Sequence, residues 1–131
     1  MRKIIILIIA SLICFSSCEK NKKQDVFSNV KITLKMPDYR HIKFMNVDMS
    51  VKGNFFQNLN TLQKYDFPIF TDGTAYLEVL KGVYIISFDA TARFSDGSTG
   101  KIRAAEHNSP DKAVNLLKEK EEIELILIAL D

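Results

Sequence analysis

Alternation of apolar and polar residues with a period of two dominates the chain after residue 29 and predicts β-strands. The clearest runs are residues 30–36 and 84–94, in which every second side chain is apolar. As a strand, the second run would be about 35 Å long at roughly 3.3 Å per residue. The Asp96-Gly97 pair after it suits a tight hairpin turn, with residues 99–106 as the partner strand.

Three shorter segments are also predicted as strands. Residues 47–51 alternate Val, Met and Val with polar residues, and a Gly-Asn pair follows them. Residues 63–70 are less regular and contain a proline, which favours an edge strand because proline cannot donate a ladder hydrogen bond. Residues 75–79 place Ala, Leu and Val on one face.

Residues 123–130 are apolar at nearly every position. This pattern predicts a central strand with both faces covered, or a strand that packs against a partner. Residues 109–122 allow two interpretations, a short helix capped by Ser109 or a strand containing Val114 and Leu116 followed by a turn; the solvated run of Lys and Glu favours the second. About seven short strands with frequent turns predict an all-β protein, a single antiparallel β-sandwich.

The first eighteen residues follow a different pattern. Arg2 and Lys3 precede an apolar run at residues 4–13, and the sequence FSSC ends at Cys18. A charged start, a short apolar run and a small-residue cleavage site are typical of an export signal. The apolar run is too short for a membrane-spanning helix, which needs about 20 residues. The segment resembles a bacterial lipobox of the Bacteroidota type, which implies that Cys18 carries the lipid; a plain secretory signal is the alternative.

This resemblance divides the chain into a signal peptide at 1–17, a lipidated tether at 18–28 and one domain at 29–131. The 114 residues from Cys18 onward are enough for one small core. The formal charge of +2 falls to zero when residues 1–17 are removed, so the charge balance indicates neither a nucleic-acid partner nor an anionic membrane surface. No disulfide is expected, because Cys14 leaves with the signal and Cys18 is acylated.

The tether is polar, and Glu19 is followed by three lysines within four residues rather than by an acidic cluster. We therefore expect a lipid-anchored position in the cell envelope, at the outer rather than the inner membrane and on its periplasmic face. The membrane is then one partner through Cys18, and an envelope protein is expected as another.

Candidate chemistry is sparse. His41 and His107 are the only histidines, and neither has the spacing of a metal site or a companion nucleophile motif. Both are expected in exposed turns. We therefore expect no catalytic residue, no metal and no cofactor. Two alternatives are kept: a small periplasmic ligand-binding or hydrolytic lipoprotein with a cavity near one histidine, and a subunit of a surface fibre assembled through residues 123–130.

One segment, TDGTAYLEVLKGVYIIS, has a specific order of turn, core and strand residues. Asp72-Gly73 is expected to form a tight turn, and Leu80 to point inward. Gly82 is expected to connect two strands with a positive φ. Tyr84 is expected to begin a long core strand, with its hydroxyl group within reach of backbone.

This segment, residues 71–87, resembles the signature of carboxypeptidase regulatory-like domains, whose fold is a transthyretin-like, Ig-like Greek-key sandwich. The strands expected at 30–37 and 122–130 lie where that family places its first and last strands. Lys81 departs from the family pattern, which has proline there, and residues 54–62 are more apolar than usual, as core or as a contact patch. The resemblance implies an accessory or adhesive module without catalytic residues of its own, often lipid-anchored beside transport or surface machinery.

Overall fold

The computed structural model describes residues 26–130, and the predicted signal peptide and Cys18 lie outside them. The described residues form ten strands and one short 3-10 turn. The strands are β1 (Phe27–Lys35), β2 (Ile42–Met45), β3 (Phe55–Asn58), β4 (Phe70–Thr71), β5 (Thr74–Leu80), β6 (Gly82–Phe94), β7 (Thr99–His107), β8 (Val114–Leu116), β9 (Lys120–Ile126) and β10 (Ile128–Ala129), with the 3-10 turn at Pro110–Lys112. The all-β prediction is confirmed.

The strands form a single curled sheet, a half-barrel whose strand order is β10-β7-β6-β2-β4-β5-β1-β9. Strand β6 pairs with four other strands: β2 and β3 along one edge, and β7 and β8 along the other. The pairings are antiparallel except that of β1 with β9, which is parallel. The sheet is therefore mostly antiparallel and has more strands than the seven expected.

The last two strands bring the two ends of the sheet together. Strand β9 pairs with β1, whereas β10 pairs with β7 at the other end of the strand order. Leu127 lies between them and donates its N–H to the carbonyl of Lys35 at 2.9 Å, and Leu130 donates to Lys101 at 3.0 Å. The prediction of a central strand at 123–130 is wrong: within residues 26–130, β9 ends the strand order, and Ile126 and Ile128 are about half exposed.

Aromatic side chains fill much of the space inside the curl. The Phe56 ring packs edge-on against Phe67 and Tyr84, with centroids 5.2 and 5.0 Å away. Phe67 also contacts Phe88 at 5.1 Å. Such pairs add about 0.5–1.5 kcal/mol each beyond the burial of their area. The apolar segment 54–62 thus supplies a core residue in Phe56, although Leu62 from the same segment is 67% exposed.

The most regular sequence patterns are confirmed. Strand β1 buries Val30, Ile32 and Leu34, and β6 buries every second residue from Tyr84 to Phe94 except Ala90, which is half-buried. Strand β6 turns into β7 through the predicted hairpin, with Gly97 at a φ of 88°. The segment before β9 forms a strand and a turn as favoured, preceded by the 3-10 turn.

Two predicted strands are absent from the described structure. Residues 47–51 form turns, and the strand in this region is β2, earlier in the chain. Asp48 accepts hydrogen bonds at its side chain from the N–H and hydroxyl of Ser50, which holds a turn rather than an extended backbone. Residues 63–69 contribute one isolated bridge, between Lys64 and Gln57, so the edge strand expected at 63–70 is wrong except for its last residue, which begins β4.

Candidate functional site

The turn at the start of residues 71–87 has the predicted geometry. Asp72 and Gly73 have φ values of 52° and 73°, and Thr71 pairs with Thr74 across them. Two consecutive positive φ values are typical of the type I′ turn of a two-residue hairpin. The N–H of Asp72 donates to the carbonyl of Lys43 at 2.7 Å, so this turn is fixed against β2.

Tyr84 also has the expected contact with backbone. Its side chain is fully buried, and its hydroxyl donates to the carbonyl of Leu80 at 2.6 Å. The N–H of Leu80 donates in turn to the hydroxyl of Tyr65 at 3.1 Å. Burial raises the pKa of Tyr84 to about 12, and the amide of Asn58 acts in the opposite direction. The hydroxyl therefore stays protonated at neutral pH and serves as a structural donor.

The expectation for Leu80 is wrong. Ala75 and Val79 point into the core, with exposures of 3% and 0%, and Leu80 lies on the opposite side of β5, half-buried. Adjacent residues of a strand face opposite sides, so Val79 and Leu80 cannot both point inward. The backbone of Leu80, rather than its side chain, is what the two tyrosines hold.

Gly82 is required for a reason other than the one expected. It does not have a positive φ; it lies in β6 and pairs with Leu116. A Cβ atom at this position would lie 2.7 Å from Nδ2 of Asn58 and 3.2 Å from Oδ1 of Asn60. Oδ1 of Asn58 accepts hydrogen bonds from the N–H groups of Asn60 and Thr61, so the asparagine is not free to move away. Glycine therefore permits the close approach of this loop to β6.

The two histidines lie in different surroundings. His41 is exposed, as expected, and its carbonyl accepts hydrogen bonds from the N–H and the hydroxyl of Ser95. His107 ends β7 and is half-buried, which differs from the exposed turn expected. Its Nδ1 lies 2.9 Å from the carbonyl oxygen of Lys112, and its Nε2 lies 3.2 Å from a carboxylate oxygen of Glu106. His107 thus ties the end of β7 to the 3-10 turn.

An open groove of about 490 Å³ lies on the outer surface at the His41 end. Phe44 is one of its lining residues, is 46% exposed, and lies on β2 between Thr71 and Arg93 on the neighbouring strands. Lys43, Asp72, Phe94, Ser95 and Gly97 complete its lining. An exposed aromatic ring beside two cations can hold a ligand or a partner through apolar and ionic contacts. Neither histidine lines this groove, so it offers no imidazole as a general base.

Arg40 and Asp38 form an ion pair beside Phe94, one of the residues that line this groove. Nε of Arg40 donates to Asp38 at 2.7 Å, and its guanidinium group lies over the Phe94 ring, 4.2 Å from the centroid. The hydrogen bond from the Arg40 N–H, together with the guanidinium group, holds the pKa of Asp38 below its usual value. Within residues 26–130, no cluster of three or more His, Cys, Asp or Glu side chains could hold a metal ion.

Asn54 is a structural side chain that sequence reasoning missed. On one edge of β6, β2 pairs with Ala92–Phe94 and β3 with Tyr84–Ser87, which leaves a gap at Asp89. The side-chain oxygen of Asn54 accepts from the N–H of Asp89 at 3.0 Å, and its Nδ2 donates to the carbonyl of Asp89 at 3.2 Å. The side-chain amide of Asn54 thus makes the two hydrogen bonds that the backbone of a neighbouring strand would otherwise make to Asp89. The Gly-Asn pair in the sequence indicated only a turn.

The described part of the chain contains no helix long and apolar enough to cross a membrane. No known protein family, curated protein or solved structure matches the chain.

Proposed function

We propose that this protein is a lipid-anchored lipoprotein of the cell envelope whose single β-domain is a non-catalytic accessory or binding module. The observation that carries the proposal is the order of the first eighteen residues: Arg2 and Lys3, a short apolar run, and FSSC ending at Cys18. Only a cysteine at that position supplies a thiol that can be acylated, and more than one acyl chain makes anchoring stable.

The two histidines lie far from each other, and neither lines the groove beside Phe44. His41 is hydrogen-bonded through its carbonyl to Ser95, near the start of β7, and His107 ends β7. The nine residues of β7 separate these positions by roughly 25 Å at about 3.3 Å per residue. The two imidazoles therefore cannot act together on one substrate. The exposed Phe44 between Thr71 and Arg93 suits contact with a partner instead.

We also propose that the curled sheet is a variant of the transthyretin-like sandwich. The type I′ turn at Asp72-Gly73 and the hydrogen bond from Tyr84 to Leu80 support this assignment, because both lie in residues 71–87, the segment that resembles the family signature. Solution of a crystal structure would test it. A crystal structure in which the curl closes into two facing layers with the transthyretin-like strand order would support the assignment, and a strand order different from that of the family would contradict it.

The lipid anchor is tested by Cys18→Ala, with Cys14→Ala as the matched control. Cells expressing each form are labelled with an alkyne analogue of palmitate, and the N-terminal peptide is examined by mass spectrometry. We expect Cys18→Ala to abolish labelling and to leave a soluble or uncleaved product, because the acceptor thiol is gone. We expect Cys14→Ala to be labelled and processed normally. A Cys18→Ala protein that is still acylated, processed and found in the membrane fraction would refute the anchor.

A further inference from the structure

Four chain segments meet at the end of the domain where the chain enters from Cys18. Phe27 of β1 aligns with Leu80 at the end of β5, and Lys81 donates its N–H to the carbonyl of Val26. Gly82 pairs with Leu116. We call this end the tether-end surface; it consists of residues 26–28, 59–63, 80–82 and 117–120. The loop at 59–63 belongs to it because the N–H of Leu59 donates to Val83, and the turn at 117–120 because the N–H of Asn29 donates to Glu119.

Large apolar side chains are exposed on this surface. Leu62 and Leu117 are 67% and 57% exposed, and Val26 and Phe27 are 48% and 36% exposed. Leu62 has a φ of 64°, a conformation that is uncommon outside glycine. Its N–H donates to Asn58 at 2.8 Å and its carbonyl accepts from Gln57 at 3.1 Å, so the backbone is held there. These hydrogen bonds hold Leu62 in an unfavourable backbone conformation, with its apolar side chain exposed.

The charge of the same surface is positive. Lys81, Lys118 and Lys120 lie in its segments against one acidic residue, Glu119. Apolar side chains surrounded by lysines are the composition that binds at a lipid interface, where rings and aliphatic groups enter the headgroup region and lysines meet anionic headgroups.

The length of chain before the domain restricts how far this surface can move from the membrane. Seven residues separate Cys18 from Val26. Even fully extended, they span at most about 30 Å. The tether-end surface therefore stays near the bilayer that holds the lipid. At that distance even a weak attraction keeps it in contact, because the tether makes its local concentration high.

We propose that the tether-end surface rests on the lipid headgroups around the anchor, so that the groove beside Phe44 faces away from the membrane. This inference depends on the proposed lipidation of Cys18. The occupant is the bilayer itself, bound through Leu62, Leu117 and Phe27 and through the neighbouring lysines.

Tryptophan reporters test the orientation, since the chain contains no tryptophan of its own. The full-length lipoprotein is purified from membranes as Leu117→Trp and Leu62→Trp, with Tyr39→Trp as the control. Tyr39 is 90% exposed and lies in the loop after β1, at the opposite end of that strand. Each protein is reconstituted into vesicles of phosphatidylethanolamine and phosphatidylglycerol, some with brominated acyl chains, and acylation of Cys18 is verified by mass spectrometry.

We expect bromine to quench Leu117→Trp and Leu62→Trp about threefold or more above Tyr39→Trp, with emission shifted to the blue. Equal quenching of all three reporters in an acylated protein would overturn the inference and leave the lipoprotein proposal standing. A blue shift without quenching, growing with protein density, would mean contact with a second copy and would also overturn it. Lack of acylation would refute the proposed function and this inference with it.

Discussion

Asn54 supplies the most specific test of how the sheet is held together. The substitution Asn54→Ala removes three hydrogen bonds: two to the backbone of Asp89 and one, of 2.9 Å, from Nδ2 to the carbonyl of Asp48. Asn54 is 8% exposed, and the Asp89 N–H and carbonyl lie in the gap between β2 and β3. Alanine leaves both of these backbone groups without their partner.

The cost follows from that geometry. Each buried polar group that loses its partner costs about 1–3 kcal/mol, with the lower value where water can enter. Two such groups in a partly buried gap give a loss of about 2 kcal/mol in the free energy of unfolding. In a domain of about 100 residues this corresponds to a melting temperature lower by about 10 °C.

Thermal unfolding followed by circular dichroism measures this effect, with Asn46→Ala as the matched control at an exposed asparagine. Amide hydrogen exchange provides a second measurement, because the Asp89 N–H should lose protection in Asn54→Ala while the amides that pair β6 with β7 keep theirs. A melting temperature within about 2 °C of the Asn46→Ala protein, or an unchanged exchange rate at Asp89, would refute the proposed role of the side chain.

Two further substitutions test individual contacts. Gly82→Val should lower the free energy of unfolding by about 1–3 kcal/mol, because its Cβ would lie 2.7 Å from Nδ2 of Asn58. Adding Asn58→Ala to this variant should recover part of the loss. Strictly additive effects of the two substitutions in denaturant titrations would contradict the close-approach explanation. His107→Ala should lower the free energy of unfolding by about 0.5–1.5 kcal/mol, because the contact with the Lys112 carbonyl is lost. His41→Ala should change the free energy of unfolding by no more than about 0.5 kcal/mol. Equal melting temperatures for the two variants would show that the His107 side chain makes no stabilising contact.

Periodicity identified strands where the backbone is regular and failed where it is not. Strand β2 was missed because it contains an irregularity: Ile42 aligns with Phe94, but Phe44 aligns with Arg93. The extra residue disturbs the alternation, so Ile42 and Met45 are buried three positions apart. Conversely, residues 47–51 alternate without an extended backbone: Val47 is buried, but Met49 is half-buried and Val51 is 48% exposed.

The candidate site could be predicted only as far as its local chemistry is encoded in adjacent residues. The Asp72-Gly73 turn and the Tyr84 hydroxyl contact follow from short-range pattern, and both were predicted. The close approach of Asn58 to Gly82 and the use of Asn54 as a substitute strand residue depend on segments more than 20 positions apart. A single sequence carries no signal for such contacts, since neither asparagine stands out from an ordinary turn residue.

The parallel pairing of β1 with β9 has a consequence for how the chain folds. Asn29 aligns with Lys120, 91 positions later, and the other partner of β1, strand β5, is reached only at residue 74. Closing loops of this length is slow, because the entropy is lost before the contact is gained. During synthesis, both edges of β1 therefore stay unpaired until the later segments have been made. Any product truncated before residue 120 keeps one of those edges permanently unpaired, a template on which another chain can add a strand.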